Sequence, residues 1–174
     1  YAWRLWDYWE RNLDPDLFID RTLKGMVTGK VILVTGCSSG IGKAVAYRLA
    51  EAGATVVTLA RDADELAATR REFEEAGYAL HTFAIDLTQA EQTEALIAQI
   101  IEEFGGVDLL INNAGRSIRR GIENSFDRFH DFERTMDLNY FGALRLTMGL
   151  LPKMLEKRHG RVINISSIGV LTNA

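Results

Sequence analysis

The chain has 174 residues, 47% hydrophobic and 25% charged, ordinary for a globular protein and enough for one domain with an apolar core. Its formal net charge of -4 gives no electrostatic basis for nucleic-acid binding, and its one cysteine, Cys37, excludes an internal disulfide framework. With no apolar run near the roughly 20 residues of a spanning helix, and charges breaking up the N-terminus, the expected location is a reducing, cytoplasmic one.

Residues 1–27 differ from the rest. Trp3, Trp6 and Trp9 all fall here, beside Tyr1 and Tyr8. Trp6, Trp9 and Leu13 share one helical face, with Arg4, Asp7 and Arg11 mostly elsewhere. Asp14-Pro15 reads as an N-cap followed by proline at the first helical position, opening a second short helix through Leu23. The expectation is a helical, aromatic-rich extension packed on the domain or on a neighbouring chain. Two alternatives stay open: peripheral contact with a membrane surface or lipid-carrying partner, and a linker from a longer polypeptide.

An apolar, β-branched run from Val31 leads into Thr35-Gly36-Cys37-Ser38-Ser39-Gly40-Ile41-Gly42. An amphipathic helix follows, with Ile41, Ala44, Val45, Leu49 and Ala52 expected on one face. Strand, glycine loop and helix in this order set backbone N–H groups and a positive helix end against a phosphate. Ala54 to Ala60 predicts a second strand, ending at Arg61. Asp62 caps a helix to about Ala76, which Gly77 stops. Leu80 to Ile85 is a third strand, closed by Asp86-Leu87-Thr88. Ile97, Ile100, Ile101 and Phe104 follow helical spacing up to Gly105-Gly106. Val107 to Ile111 is a continuous apolar run, as in a strand buried on both faces, and Asn112-Asn113-Ala114-Gly115 follows it.

Arg116 to Ser125 is polar and lacks a period, which predicts a loop. A long helix is expected from about Asp127 to Arg158, with a buried stripe of Met136, Tyr140, Ala143, Leu146, Leu150 and Met154. Pro152 is expected to kink or shorten its last turns and Gly160 to end it. Arg161 to Ser166 is a fifth strand. Strands alternating with helices at this spacing imply right-handed βαβ units and a parallel sheet.

Gly36, Gly40 and Gly42 have the spacing G-x-x-x-G-x-G. Glycine there permits the tight turn, lets a diphosphate approach the backbone and lets the helix sit close to the strand. A purely structural turn is the alternative. At the end of the second strand an acidic residue would bond a ribose 2′-hydroxyl; here Ala60 is followed by Arg61, whose guanidinium suits a 2′-phosphate. Ser38 and Ser39 add hydroxyl donors. This favours NADP(H) over NAD(H), unless Arg61 only caps the strand or pairs with Asp62 or Asp64. Asn139 falls on or beside the buried stripe, where an amide needs partners. Ser166 and Ser167 lie at the carboxyl end of the fifth strand, where open α/β sheets place ligands. His81, His130 and His159 are scattered without metal-ligand spacing, and Cys37 reads as a small filler residue inside the turn.

Thr35 to Gly42, Asp86-Leu87, Asn112-Asn113-Ala114-Gly115, Asn139 and Asn164-Ile165-Ser166-Ser167 together resemble the short-chain dehydrogenase/reductase family over residues 30–174. The resemblance implies a Rossmann-type, doubly wound parallel α/β sheet, here C-terminally incomplete with about five strands. It places the dinucleotide-binding domain at 28–174, behind the helical extension. It implies hydride transfer with a nicotinamide cofactor. Gly36, Ser38, Ser39, Gly40, Ile41, Gly42 and Arg61 would hold phosphates, Asp86 and Leu87 would flank the adenine, and Asn113, Ala114 and Gly115 would line the cofactor. Asn112 would brace the sheet. Asn139 would hold a water in a proton relay, and Ser167 would hydrogen-bond the substrate carbonyl.

The family's Tyr-x-x-x-Lys is expected about a dozen residues after Ser167, and the sequence ends at Ala174, so a fragment inactive by itself is expected. Asp7 to Lys30, Arg116 to Leu146 and Asn164 to Ala174 are similar to bacterial long-chain fatty acyl-CoA reductases, several of which carry the reductase as one domain of a longer chain. The expected activity is NADPH-dependent reduction of a carbonyl or thioester, fatty acyl-CoA to fatty aldehyde. A 3-oxoacyl or hydroxysteroid reductase is the alternative enzyme, and a non-catalytic dinucleotide-binding sensor or scaffold the alternative of another class. Expected partners are the substrate and a second copy of the chain, since relatives often pair through the long helix.

Overall fold

Strands β1 (Val31–Thr35), β2 (Thr55–Ala60), β3 (Leu80–Ala84), β4 (Leu109–Asn112) and β5 (Arg161–Asn164) pair in the order β3-β2-β1-β4-β5. Every pairing is parallel, with Leu33 facing Val57 on one side and Leu110 on the other. The computed structural model describes residues 22–118 and 120–167. The expected aromatic helix and the proline-started helix therefore lie largely outside the described residues. Within them, Thr22 caps α1 (Leu23–Val27), which begins where the second helix was expected to finish. Val27 is buried in the core, and Thr28 Oγ1 donates to Ala52 O at 2.9 Å, so this segment is stitched to the domain.

Alternation along the strands splits the core into two layers. Ile32, Val34 and Val56 pack with Leu49 of α2 (Gly40–Glu51) and Phe73 of α3 (Ala63–Glu75). Leu33, Val57 and Leu110 pack with Ile97 and Ile100 of α4 (Ala90–Phe104) and with Leu146, Leu150 and Met154 of α6 (Ala143–Glu156). Helices thus cover both sheet faces, the doubly wound arrangement that burying both faces of a parallel sheet requires. Asp62 caps α3 by accepting from the backbone N–H of Asp64 and Glu65, and left-handed Gly105 ends α4, both as expected.

Three expectations about helix phase are corrected. In α2 the buried residues are Gly42, Ala46, Leu49 and Ala50, whereas Ile41 and Ala44 face out, Ile41 being 65% exposed. Gly42 is the point of closest approach to the turn, so the helix rotates to present it rather than Ile41. The long helix is interrupted: α5 (Phe129–Met136) runs into a π-helical segment, Asp137–Gly142, and then into α6. Its inward side reads Asp131, Leu138, Gly142, Leu146, Leu150, Met154, while Met136 and Tyr140 are half exposed. The wider π turn carries an extra residue and shifts the phase, and Gly142 lets the backbone pass Leu87 closely. Finally, α6 continues through Pro152 to Glu156, and the chain turns away at Arg158, which takes φ 50°. Gly160 acts later, where a Cβ would run into Met154. β4 also begins two residues later than expected, although Val107 is buried.

Candidate functional site

The carboxyl ends of β1 and β4 are clamped together. Thr35 Oγ1 accepts from the backbone N–H of Asn113 at 2.9 Å and of Ala114 at 2.7 Å. Asn113 Nδ2 donates back to Thr35 O at 2.9 Å and Gly36 O at 3.2 Å. Gly36 takes φ 73°, where a Cβ would also lie 3.0 Å from Ala114 Cα. A Cβ on Gly42 would strike the Gly36 carbonyl, so the start of α2 sits hard against the turn. Ser39 occupies the N-cap of α2 without making a side-chain capping bond. The first N–H groups of a helix have no intrahelical acceptor, and here they open at the glycine loop.

Beside this turn is a cleft of about 430 Å³ lined by Gly36, Ser38, Ser39, Arg61, Leu87, Asn113, Ala114 and Gly115, together with Leu138 and Glu65. Arg61 has no carboxylate partner among the described residues. The pairing with Asp62 does not form; Asp62 Oδ1 serves the α3 cap instead. An unpaired guanidinium beside two serines fits a phosphate on a ribose, with Asp62 and Glu65 in the same cleft opposing it. Gly40, Ile41, Gly42 and Asp86 are not in the lining. Asp86 Oδ1 is occupied by the backbone N–H and hydroxyl of Thr88, both at 2.9 Å, while buried Leu87 reaches the cleft.

A second cleft of about 590 Å³ adjoins the first through Ala114 and Gly115. It brings together Asn139, Ser166 and Ser167, with Arg116, Tyr140, Thr147 and Asn164. Asn139 is exposed rather than buried, and both ends of its amide bond the backbone of Arg116: Oδ1 accepts from Arg116 N and Nδ2 donates to Arg116 O, each at 2.8 Å. Asn112 braces the sheet as expected, donating to Asn164 Oδ1 at 2.8 Å. The sequence pattern assigns no role to Thr35, Arg116 or Leu138; a threonine ending a central strand and an arginine directly after Asn-Asn-Ala-Gly are the available signals.

Cys37 is fully buried in the turn, its Sγ donating to Val34 O at 3.3 Å, and burial pushes the thiol up to about 12. It is therefore a neutral thiol throughout the physiological range. Iodoacetamide at pH 8 should leave the native protein unlabelled and label it fully in denaturant; prompt native labelling contradicts this. His81 packs edge-on against Phe104, and no cluster suited to a metal ion occurs among the described residues. Nor is any described helix long and apolar enough to cross a membrane.

A model of the short chain dehydrogenase family matches residues 30–173. The chain is 54% identical over 148 residues to a fatty acyl-CoA reductase of Acinetobacter baylyi, an alignment covering 85% of this chain and 50% of that protein. Its structure resembles L-sorbose reductase of Gluconobacter frateurii complexed with NADPH and L-sorbose, with TM-score 0.77 and 34% identity over 85% of this chain and 56% of that one. It also resembles an NAD+-bound xylitol dehydrogenase, with TM-score 0.78 and 28% identity over 84% and 56%. The chain spans about half the length of the curated relatives it matches.

Proposed function

The chain belongs to the short-chain dehydrogenase family, and on that premise we propose that the protein reduces the thioester of a long-chain fatty acyl-CoA, using the hydride of NADPH and a proton, to a fatty aldehyde, with coenzyme A leaving as the free thiol. The observation that carries the reading is the junction of the two clefts at Ala114–Gly115, which lets a dinucleotide on the glycine loop reach the cleft holding Asn139 and Ser167. The bound reduced nicotinamide supplies the hydride. The start of α2, Ser38 and Ser39 hold phosphates, and Arg61 holds the 2′-phosphate. Ser167 donates a hydrogen bond to the carbonyl oxygen, where negative charge develops. Asn139 is a positioning residue, holding the backbone of Arg116 at the cleft. Similarity to the Acinetobacter enzyme supports the thioester. Similarity to a sugar reductase supports ketone reduction as the second reading.

The half-exposed stripe of Phe132, Met136, Tyr140, Leu144 and Met148 supports pairing with a second copy. In the whole protein, NADPH oxidation should respond to palmitoyl-CoA. Ser167→Ala should lower kcat on the order of 10²-fold while NADPH affinity stays within about twofold. Reduction of ketones but of neither palmitoyl-CoA nor a fatty aldehyde removes the thioester reading.

A further inference from the structure

Asp131 is buried, on the inward side of α5, and the proposed chemistry does not use it. Arg120 Nη1 and Arg128 Nε both donate to its Oδ2, at 2.8 and 2.9 Å. Arg134 Nη1 lies 3.8 Å and His130 Nε2 3.4 Å from its Oδ1. A buried carboxylate needs compensation, but one well-placed arginine supplies it. Three guanidiniums around one carboxylate leave an excess of two positive charges at a single spot. Glu123, Asp127 and Glu133 belong to the same stretch, yet among the described residues none of them forms an ion pair with these arginines. The three arginine side chains remain partly exposed, Arg134 the most at 53%.

The cluster also has a place relative to the cleft. Asp131 precedes Asn139 by eight residues, about 12 Å along a helix. Arg116, in the cleft lining, precedes Arg120 by four residues. Next to the arginines in sequence are Phe126 and Phe129, 81% and 71% exposed. Fixed guanidiniums suit phosphate monoesters, and exposed aromatic faces suit a stacked base.

We propose that Arg120, Arg128 and Arg134, gathered by Asp131, bind the phosphates of the coenzyme A portion of the thioester. The pantetheine arm then spans the two helical turns back to the cleft that holds Asn139 and Ser167. This rests on the acyl-CoA reading and extends it to the carrier end of the substrate. Asp131 is a positioning residue that holds the guanidiniums.

The test is calorimetric titration of the whole protein with coenzyme A, its 3′-dephospho form and pantetheine, with NADPH as the reference ligand. Arg134→Gln removes the cation farthest from Asp131 and leaves both close partners in place. Arg120→Gln/Arg134→Gln removes a second. Coenzyme A affinity should fall about tenfold in the double variant. Pantetheine and NADPH affinities should stay unchanged, and Arg134→Lys should restore most of the single-variant loss. Equal coenzyme A affinities in parent and variants overturn the proposal, as does a parallel loss of NADPH affinity, which would mark a purely structural cluster. Arginine-dependent capture of phosphatidylglycerol vesicles without coenzyme A binding also overturns it. Palmitoyl-CoA reduction with KM unaltered in the variants removes this site and leaves the reductase reading standing. Coenzyme A binding that the variants lose, in a protein without turnover, supports the site and removes the reductase reading.

Discussion

Gly42→Ala is expected to lower the thermal midpoint by roughly 5–10 °C, from a loss of about 2–3 kcal/mol, and to weaken dinucleotide binding at least tenfold. The added Cβ meets two groups that cannot swing aside. One is the carbonyl of Gly36, held by the left-handed turn; the other is Nδ2 of Asn113, which clamps that turn to β1. The start of α2 must back away, and it takes with it the N–H groups that face the phosphate. Gly40→Ala is the internal control. Gly40 has φ 59° and open space around it, so only backbone strain of about 1–2 kcal/mol is expected. Thermal denaturation with dinucleotide titration separates the two variants. Equal binding by Gly42→Ala and parent shows that the close approach has no part in holding the cofactor.

Arg61→Asp is expected to reverse the cofactor preference. A charge-assisted phosphate contact contributes about 1.5–3 kcal/mol, and the new carboxylate adds repulsion, so NADPH affinity should fall on the order of 10²-fold. NADH has no 2′-phosphate, and its affinity should stay within about threefold or rise, because an acidic residue there suits a ribose hydroxyl. Raising the salt concentration should narrow the gap, since Arg61 is exposed and its charge is screened. Equal losses for the two dinucleotides would reject the phosphate role.

The legible parts of the fold have local causes. Val31 to Thr35 is a strand because β-branched and apolar residues fill a position buried on both faces. Asp62 starts a helix because its carboxylate meets two orphan N–H groups, and Gly105 stops one because it alone adopts φ 70° at no cost. The glycine loop was legible for the same reason, whereas the bracing by Asn112 was implied by the family resemblance.

In the long helix Leu146, Leu150 and Met154 are buried as expected, but Met136 and Tyr140 are not, because the inward positions before Leu146 include Asp131 and Gly142 while Phe129, Met136 and Tyr140 lie outward. Apolar periodicity finds the richer face, and here that face is the uncovered one. Only the packed structure shows the π segment, which turns Asn139 toward Arg116, 23 residues earlier in the chain. The rotation of α2 is similar: Ile41 scores as core, but the demand for a glycine at the turn outweighs its burial.

The sequence by itself thus determined the order of strands and helices, the glycine loop, the arginine that follows β2 and the family. Each of these follows from neighbouring residues or from short motifs at set spacing. Tertiary structure alone decided which faces α2 and α5 present, that Arg61 has no carboxylate partner among the described residues, and that three arginines converge on Asp131. The helix faces depend on groups brought together from distant parts of the chain, whereas the cluster depends on the loop before α5 bringing Arg120 back onto a helical turn that carries the other two arginines.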